Sequence, residues 1–234
     1  MTLDYHRELT ERERLHDIAG IEQDFDDAEA LVKIGAKPEF TRILEVLAKD
    51  PSAPISPRLL VDALMQGMDV AVTMGREQVR RSFQVKLEQE PFLDRLLAQA
   101  EAGAQAAIDA LKTAARNLML AARGELTDEM EARLEERSDA IITSTSVSLA
   151  RAAYKAGRQS EAHGNADTLI YSGILDDNEC DDCLSHEGEV YSDTDPSAVG
   201  SLEEGEALMG GNPNCEGVMF GNACRCIMLV EGSS

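Results

Sequence analysis

The sequence contains no tryptophan, and aromatic residues make up only 4% of its 234 residues. A packed core must therefore be built from Leu, Ile, Val, Met and Ala, a set that favours helices packed against helices. No apolar run approaches the roughly 18 residues of a transmembrane helix, so we expect no membrane contact. The N-terminus also lacks the basic-then-apolar layout of a signal peptide, and we expect synthesis in a cytoplasm.

Basic residues are scarce, above all in the last third of the chain. The protein has 22 Lys and Arg against 44 Asp and Glu, which gives a net charge of −22. Residues 159–234 contain 16 acidic residues and a single basic one, Arg225, whereas residues 1–158 contain 28 acidic and 21 basic residues. Because such a surface repels a phosphate backbone, we expect no specific nucleic-acid binding.

Prolines divide the N-terminal part of the chain. Residues 51–57 hold three prolines, which cannot lie inside a helix because each lacks an N–H and its ring clashes with the preceding turn. This connector predicts that residues 1–50 form a separate N-terminal helical arm. Gly20 is expected to break the arm, and Gly35 and Pro38 are expected to interrupt it again.

Apolar residues recur at helical spacing through residues 58–164 and predict three long helices. The first runs from Pro57 to about Glu90. The second begins at Pro91 and ends near Gly124. The third runs from a cap at residues 127–129 to about residue 163. Short connections between long helices predict an antiparallel bundle or an elongated stalk.

After residue 164 the helical periodicity stops and glycine becomes frequent. Short β-prone stretches at 168–175, 189–191 and 227–230 predict a few strands. The predicted fold class is therefore mainly α. A long-helix bundle or stalk at 58–164 is followed by a small, irregular, acidic α+β module at 165–234, stapled by a cysteine-rich, zinc-like site.

All five cysteines lie in this module. Cys180 and Cys183 form a Cys-x-x-Cys pair, which has the bite that a tetrahedral zinc ion needs. Cys215 and one of Cys224 and Cys226 would complete a site for one structural zinc ion. A small module with few core residues gains much of its stability from such a metal.

Two alternatives to this ligand set remain. His186, three residues after Cys183, could replace one of the cysteines as a ligand. The cysteines could instead form two disulfides with one thiol left over. The odd count and the expected cytoplasmic synthesis argue against disulfides as the primary state, although oxidising surroundings after release from the cell would favour them.

One pattern is typical of an enzyme. The Ser-Thr-Ser at 144–146, with a Glu-Gly-Glu at 187–189 or 204–206, is similar to elements of ADP-ribosyltransferases. Those elements belong on strands and loops, whereas residue 144 lies inside a helical pattern. We find no phosphate-cradling loop, nucleophile elbow or zinc-protease motif, and we therefore expect no catalytic residues.

The order of features from Arg133 onward resembles the phage head-morphogenesis family, the Mu F-like minor head proteins. In that family an amphipathic helix ends in an Ala-rich, Ala-Gly-Arg-like stretch, which residues 150–158 match here. A short strand, an acidic turn and a Cys-x-x-Cys follow, here ending at residue 183. A Gly-x-Val-Tyr element comes next, here residues 188–191. The resemblance covers about residues 130–230.

The chain departs from that family at its closing motif, His-Pro-x-Cys-Arg-Cys. Asn212 stands where the histidine is expected, and eight residues separate Cys215 from the Cys-Arg-Cys at 224–226. In this interpretation Cys215 replaces the histidine as a ligand, and the choice between Cys224 and Cys226 stays open.

The resemblance implies a structural minor head protein of a tailed bacteriophage. Such a protein would contact the portal protein and/or the major capsid protein, in multiple copies per particle. It would reside in the virion, in the head or the portal and neck region, after assembly in the bacterial host cytoplasm. The alternatives are an intracellular zinc-ribbon protein–protein adaptor and an ADP-ribosyltransferase.

Overall fold

The computed structural model describes residues 11–82, 93–121, 128–163, 165–172, 180–209, 212, 214–215 and 226–231. Four long helices come first: α1 (Glu11–Lys49), α2 (Arg58–Ser82), α3 (Leu93–Ala121) and α4 (Asp128–Ala162). Then follow β1 (Thr168–Ser172), α5 (Asp181–Ser185), β2 (Val190–Tyr191), α6 (Leu202–Met209) and β3 (Ile227–Glu231). The predicted fold class, a mainly helical chain with a small sheet and a cysteine cluster, is confirmed.

The long helices alternate in direction. Lys33 Nζ on α1 donates to Thr143 Oγ1 on α4 at 2.8 Å, and Tyr154 OH further along α4 donates to Asp24 Oδ2 on α1 at 3.1 Å. Helices α1 and α4 are therefore antiparallel. Residue 35 of α1 faces residue 63 of α2 and residue 32 faces residue 67, so α1 and α2 are antiparallel as well, and α2 and α4 run parallel. The most extensive helix–helix contact is between α2 and α4, and both α1 and α3 pack against this pair.

Two glycines allow α2 and α4 to approach closely. A Cβ placed on Gly157 would lie 2.1 Å from the carbonyl oxygen of Val72, and one on Gly75 would lie 2.1 Å from the carbonyl oxygen of Tyr154. No side chain fits at either position, because the obstructing atoms are backbone. The parallel pair at the centre of the bundle therefore depends on glycine on both helices.

Helix α1 is continuous, so the predicted breaks at Gly20, Gly35 and Pro38 are wrong. Proline removes one helical hydrogen bond and leaves the carbonyl four residues earlier without its partner. That residue, Ile34, is 67% exposed, so water can satisfy its carbonyl group. Packing of the opposite face then outweighs the local preference to stop.

The described part of the predicted N-terminal arm packs into the bundle and does not stand apart. Every third or fourth side chain of α1 is apolar and is buried against α2 and α4. In a separate arm this apolar stripe would be exposed to water, which is unfavourable. The stripe consists of Ile21, Phe25, Ala28, Val32, Ala36, Phe40, Ile43 and Leu47. The domain boundaries near residues 50, 58 and 165 stay predictions.

The sheet is antiparallel, in the order β2-β1-β3. Its two faces pack against different cores, as the two-residue period of a strand requires. Ile170, Ile227 and Leu229 pack with the bundle core, while Tyr171 and Met228 pack with the buried cysteines. The sheet therefore lies between the bundle and the cysteine cluster.

Buried charged groups near the ends of α2 and α4 join these two helices to each other and, through Arg158, to the sheet. Arg158, only 2% exposed, donates to the carbonyl oxygen of Met228 at 2.6 Å and to Gln78 Oε1 at 2.8 Å. One turn later Glu161, 3% exposed, accepts hydrogen bonds from Arg76 at 3.2 Å and Arg80 at 3.0 Å. The hydrogen bond to Glu161 raises the pKa of Arg80 above its ordinary value.

Two short helices of the module, α5 and α6, were not predicted. Helix α6 has a sequence signal, a Ser-x-x-Glu capping box: Ser201 N donates to Glu204 Oε2 at 2.7 Å, and Glu204 N donates to Ser201 Oγ at 3.3 Å.

Among the described helices, none combines the length and apolar character that crossing a bilayer requires.

Candidate metal centre

The Cys-x-x-Cys pair lies on the first turn of α5. Cys180 is the residue before the helix, with extended backbone angles, and Cys183 lies inside it, 1% exposed. Leu184 N donates to the Cys180 carbonyl at 2.9 Å, and His186 N donates to the Cys183 carbonyl at 3.2 Å. This tight turn directs both thiols to the same side of the chain.

The third thiol comes from a turn far away in sequence. Cys215 N donates to the carbonyl oxygen of Asn212 at 3.1 Å, and Asn214 N donates to Asn212 Oδ1 at 2.9 Å. These bonds hold Cys215, 7% exposed, next to α5. The sulfur atoms of Cys180 and Cys215 are 3.9 Å apart.

Cys180, Cys183 and Cys215 form a group that could hold a metal ion, because their sulfur atoms all lie within 4.8 Å of one another. Four sulfurs around one zinc ion with Zn–S bonds of about 2.3 Å are separated by about 3.8 Å at each edge of the tetrahedron. The Cys180–Cys215 distance of 3.9 Å matches that edge. The structure thus brings together three of the five cysteines singled out in the sequence.

The structure does not bring two of the remaining candidate ligands, Cys226 and His186, into this group. Cys226, 5% exposed, lies just before β3 and packs in the same core as the three thiols, but it is not in the group within 4.8 Å. Cys224 lies outside the described residues. His186 is also outside the group, and its Nδ1 contacts Glu189 Oε2 at 2.6 Å. The identity of a fourth ligand stays a prediction.

No disulfide joins Cys180, Cys183, Cys215 and Cys226 to one another in the described part of the chain. A disulfide requires its sulfurs to lie about 2.05 Å apart, far closer than the 3.9 Å between Cys180 and Cys215. The observed spacing is therefore not that of a covalent pair, and it is close enough for the two sulfurs to share an ion.

Asn212 is a residue that the sequence reasoning did not assign to the site. It is 1% exposed, and its Nδ2 donates to Asp182 Oδ2 at 2.6 Å and to Cys183 Sγ at 3.8 Å. The available signal was its position, the first of the closing motif, where the resembled family has histidine. Because its amide bonds to α5 while its backbone bonds to Cys215, Asn212 connects both halves of the thiol cluster.

A second polar network lies beside the cluster. Tyr191 OH donates to Glu189 Oε2 at 2.8 Å, the same oxygen that His186 contacts. Burial opposes the charged form of Glu189, but the bonds from His186 and Tyr191 outweigh it and lower the pKa of Glu189. Burial and the carboxylate together raise the pKa of Tyr191. The centroid of the Tyr171 ring lies 5.5 Å from that of the His186 imidazole.

The residues of the enzyme-like pattern have structural contacts. Ser144 Oγ donates to the Ile141 carbonyl at 3.1 Å within α4. Of the glutamates, Glu189 binds His186 and Tyr191, Glu204 caps α6, and Glu206 contacts His163 Nδ1 at 2.7 Å. The Ser-Thr-Ser therefore sits in a bundle helix, whereas all four glutamates sit in the cysteine module.

The chemistry of the cluster follows from its ligand atoms. As thiolates, the three cysteines would carry a combined negative charge that a cation would balance, and sulfur ligands favour soft or borderline metals over calcium and magnesium. Cys183 and Cys215 are buried and Cys180 is half-buried, which suits an ion that holds the module together. No protein-family model matches the sequence, and the searches of curated proteins and of solved structures likewise returned no match.

Proposed function

We propose that the chain is a structural minor head protein of a tailed bacteriophage, in which one zinc ion holds a small C-terminal module against a helical bundle. The observation that carries the proposal is the convergence of Cys180, Cys183 and Cys215 behind the sheet that packs on the bundle. In this role the ion would stabilise the module and would not take part in a reaction.

The spacing of the sulfurs supports zinc. The Cys180–Cys215 distance fits a tetrahedral zinc site, and structural zinc sites use four protein ligands, most often cysteines. Cys226 or Cys224 is the proposed fourth ligand. Binding free energy of such a site becomes folding free energy, because the ligands are not assembled in the unfolded chain.

The helix segment that carries the family resemblance also supports a structural role. Residues 150–158 of α4 contain the buried Ala153, Tyr154 and Gly157 of the bundle core, and Arg158, which bonds to β3. The segment therefore joins the bundle to the cysteine module. Apolar side chains left exposed on the outer helix faces, such as Ile34, Leu59 and Leu120, suit contacts with portal or capsid proteins.

Metal analysis of the purified chain tests the zinc site. We expect about one zinc ion per chain, because four ligands close one site. Cys180→Ser, Cys183→Ser and Cys215→Ser should each lower the zinc content, while Ser185→Ala, on the same short helix, should not. A metal-free wild-type chain whose titration shows a single reactive thiol would instead establish two disulfides.

Head assembly tests the biological role. The chain is co-expressed with the portal and major capsid proteins encoded beside it, and purified heads are analysed by mass spectrometry. We expect the chain in the heads at several copies per particle, and a reduced yield of heads when it is omitted. Neighbouring genes that encode no portal or capsid protein would favour the zinc-ribbon adaptor. Transfer of label from NAD to protein would favour the ADP-ribosyltransferase.

A further inference from the structure

We infer that Asn212 is a positioning residue of the metal site: its side-chain amide orients the Cys183 thiolate toward the ion by an N–H···S hydrogen bond. Asn212 also holds the loop that carries Cys215 against helix α5. The inference rests on the proposed metal site, and it assigns to Asn212 a role in setting the affinity and the electronic character of that site.

The hydrogen bonds of Asn212 leave a single orientation for its amide. The Nδ2 group has two hydrogens, and it lies within bonding distance of two acceptors, Asp182 Oδ2 at 2.6 Å and Cys183 Sγ at 3.8 Å. The Oδ1 atom faces a donor, Asn214 N, at 2.9 Å. A flipped amide would place Oδ1 against a carboxylate and a thiolate, so the network itself fixes which atom points to the sulfur.

These bonds span the two halves of the site. The side chain of Asn212 bonds to residues of α5, and its backbone carbonyl accepts from Cys215 N at 3.1 Å. With the side chain 1% exposed, water cannot replace these contacts without entering the core. Asn212 therefore holds the Cys-x-x-Cys turn and the Cys215 turn at the separation that an ion needs.

The bond to sulfur has an electronic consequence. A donor that bonds to a metal ligand orients it and changes its electron donation to the metal. Three thiolates around a divalent ion leave an excess of negative charge, and an N–H donor disperses part of it.

Zinc affinity, measured by competition with a chelator, tests the inference with three variants of the full-length chain. Asn212→Ala should weaken zinc binding about 10- to 100-fold, the usual loss for a group that supports a ligand. Asn212→Asp should weaken it further, because a carboxylate would face both Asp182 and the Cys183 sulfur. Asn214→Ala is the matched control: its side chain is exposed and its backbone N–H remains, so the affinity should not change.

Cobalt substitution separates the bond to sulfur from a simple effect on the loop. Loss of an N–H donor makes the thiolate a stronger electron donor, so the thiolate-to-cobalt charge-transfer bands of Asn212→Ala should move to longer wavelength. Asp182→Ala removes the other partner of the amide and keeps the bond to Cys183. It should weaken zinc binding less than Asn212→Ala, without moving the bands.

The outcomes distinguish the inference from the proposed function. A wild-type chain that binds no zinc overturns the metal site, and the inference with it. If the wild-type chain binds zinc and the Asn212→Ala variant binds it equally tightly, the inference alone is overturned. Weaker binding with unmoved cobalt bands would also overturn it, because Asn212 would then support the loop without bonding to the thiolate. Helical circular dichroism of each variant establishes that the bundle remains folded.

Discussion

Replacing Gly157 with alanine should separate the two central helices of the bundle. The new methyl group would lie 2.1 Å from the carbonyl oxygen of Val72 and 3.0 Å from its Cα. Both atoms are backbone atoms of α2, so no side-chain rotation can relieve the contact. Ordinary van der Waals contact begins at 3.4 Å, and 3.4 minus 2.1 requires a movement of 1.3 Å.

The cost of this movement exceeds the gain from replacing glycine. Alanine is about 1 kcal/mol more favourable than glycine inside a helix. Overpacking a core costs about 1–3 kcal/mol and sometimes more. A gap of about 1 Å also removes up to half of the dispersion energy of each contact across it. Since α2 and α4 share the largest interface of the bundle, we expect a net loss of at least about 2 kcal/mol in the free energy of unfolding.

Gly20 provides the matched control. It is exposed within α1, and a Cβ placed there has no other atom within 4 Å. Gly20→Ala should therefore raise the free energy of unfolding by up to about 1 kcal/mol, through helix propensity alone. Urea unfolding of both variants, followed by circular dichroism of the helices, should show midpoint shifts of opposite sign.

The double variant Gly75→Ala with Gly157→Ala extends the test. The methyl group on Gly75 would meet the Tyr154 carbonyl oxygen at 2.1 Å, at the same crossing. Helices already separated by one methyl group can accept the second at lower cost, so the double variant should lose less than the sum of the two single losses. A Gly157→Ala chain as stable as Gly20→Ala would refute the close crossing of α2 and α4.

Three further predictions concern polar groups that are buried, as Glu161 and Arg158 are, or half-buried, as Glu189 is. Glu161→Gln should lower the free energy of unfolding by about 2 kcal/mol in urea titrations, because two arginines lose a charged acceptor; an unchanged midpoint would contradict this pairing. Arg158→Met should speed amide hydrogen exchange in β1 and β3, because Met228 loses its donor, and exchange should stay unchanged in α3. Since the pKa of Glu189 is lowered in the folded state, its ionised carboxylate stabilises the fold. This contribution to the free energy of unfolding is fully present above the ordinary pKa of 4.5 and is lost as the pH falls through the folded-state pKa. Glu189→Gln should therefore flatten the acid limb of the stability–pH profile, and an unaltered limb would contradict the network.

Hydrophobic periodicity was sufficient to predict the long helices. The stripe through Val61, Leu64, Met68 and Val72 on α2 is buried as expected, because a helix of this length buries one face whatever its neighbours are. The same reasoning failed at Pro38. A local helix breaker can be outweighed by packing of the opposite face, and that packing is a property of the assembled bundle.

The candidate site was predictable in part. The pair of Cys180 and Cys183 has a short fixed spacing, which sequence alone can read as half of a metal site. The approach of Cys215 depends on where a separate turn docks, and the separation of Cys226 from the group depends on the register of β3. The closing motif marks the position of Asn212 but does not indicate its role, which only its burial and its bonds to Asp182 and Cys183 reveal.

By itself, the sequence determined the helical class, the acidic C-terminal module and the concentration of every cysteine within it, because composition, charge and periodicity are local properties of the chain. The tertiary structure decided that α1 belongs to the bundle, that two glycines bring α2 and α4 together, and that three thiols converge behind the sheet. These features join residues far apart in sequence, and their positions depend on packing that no short stretch of the chain encodes.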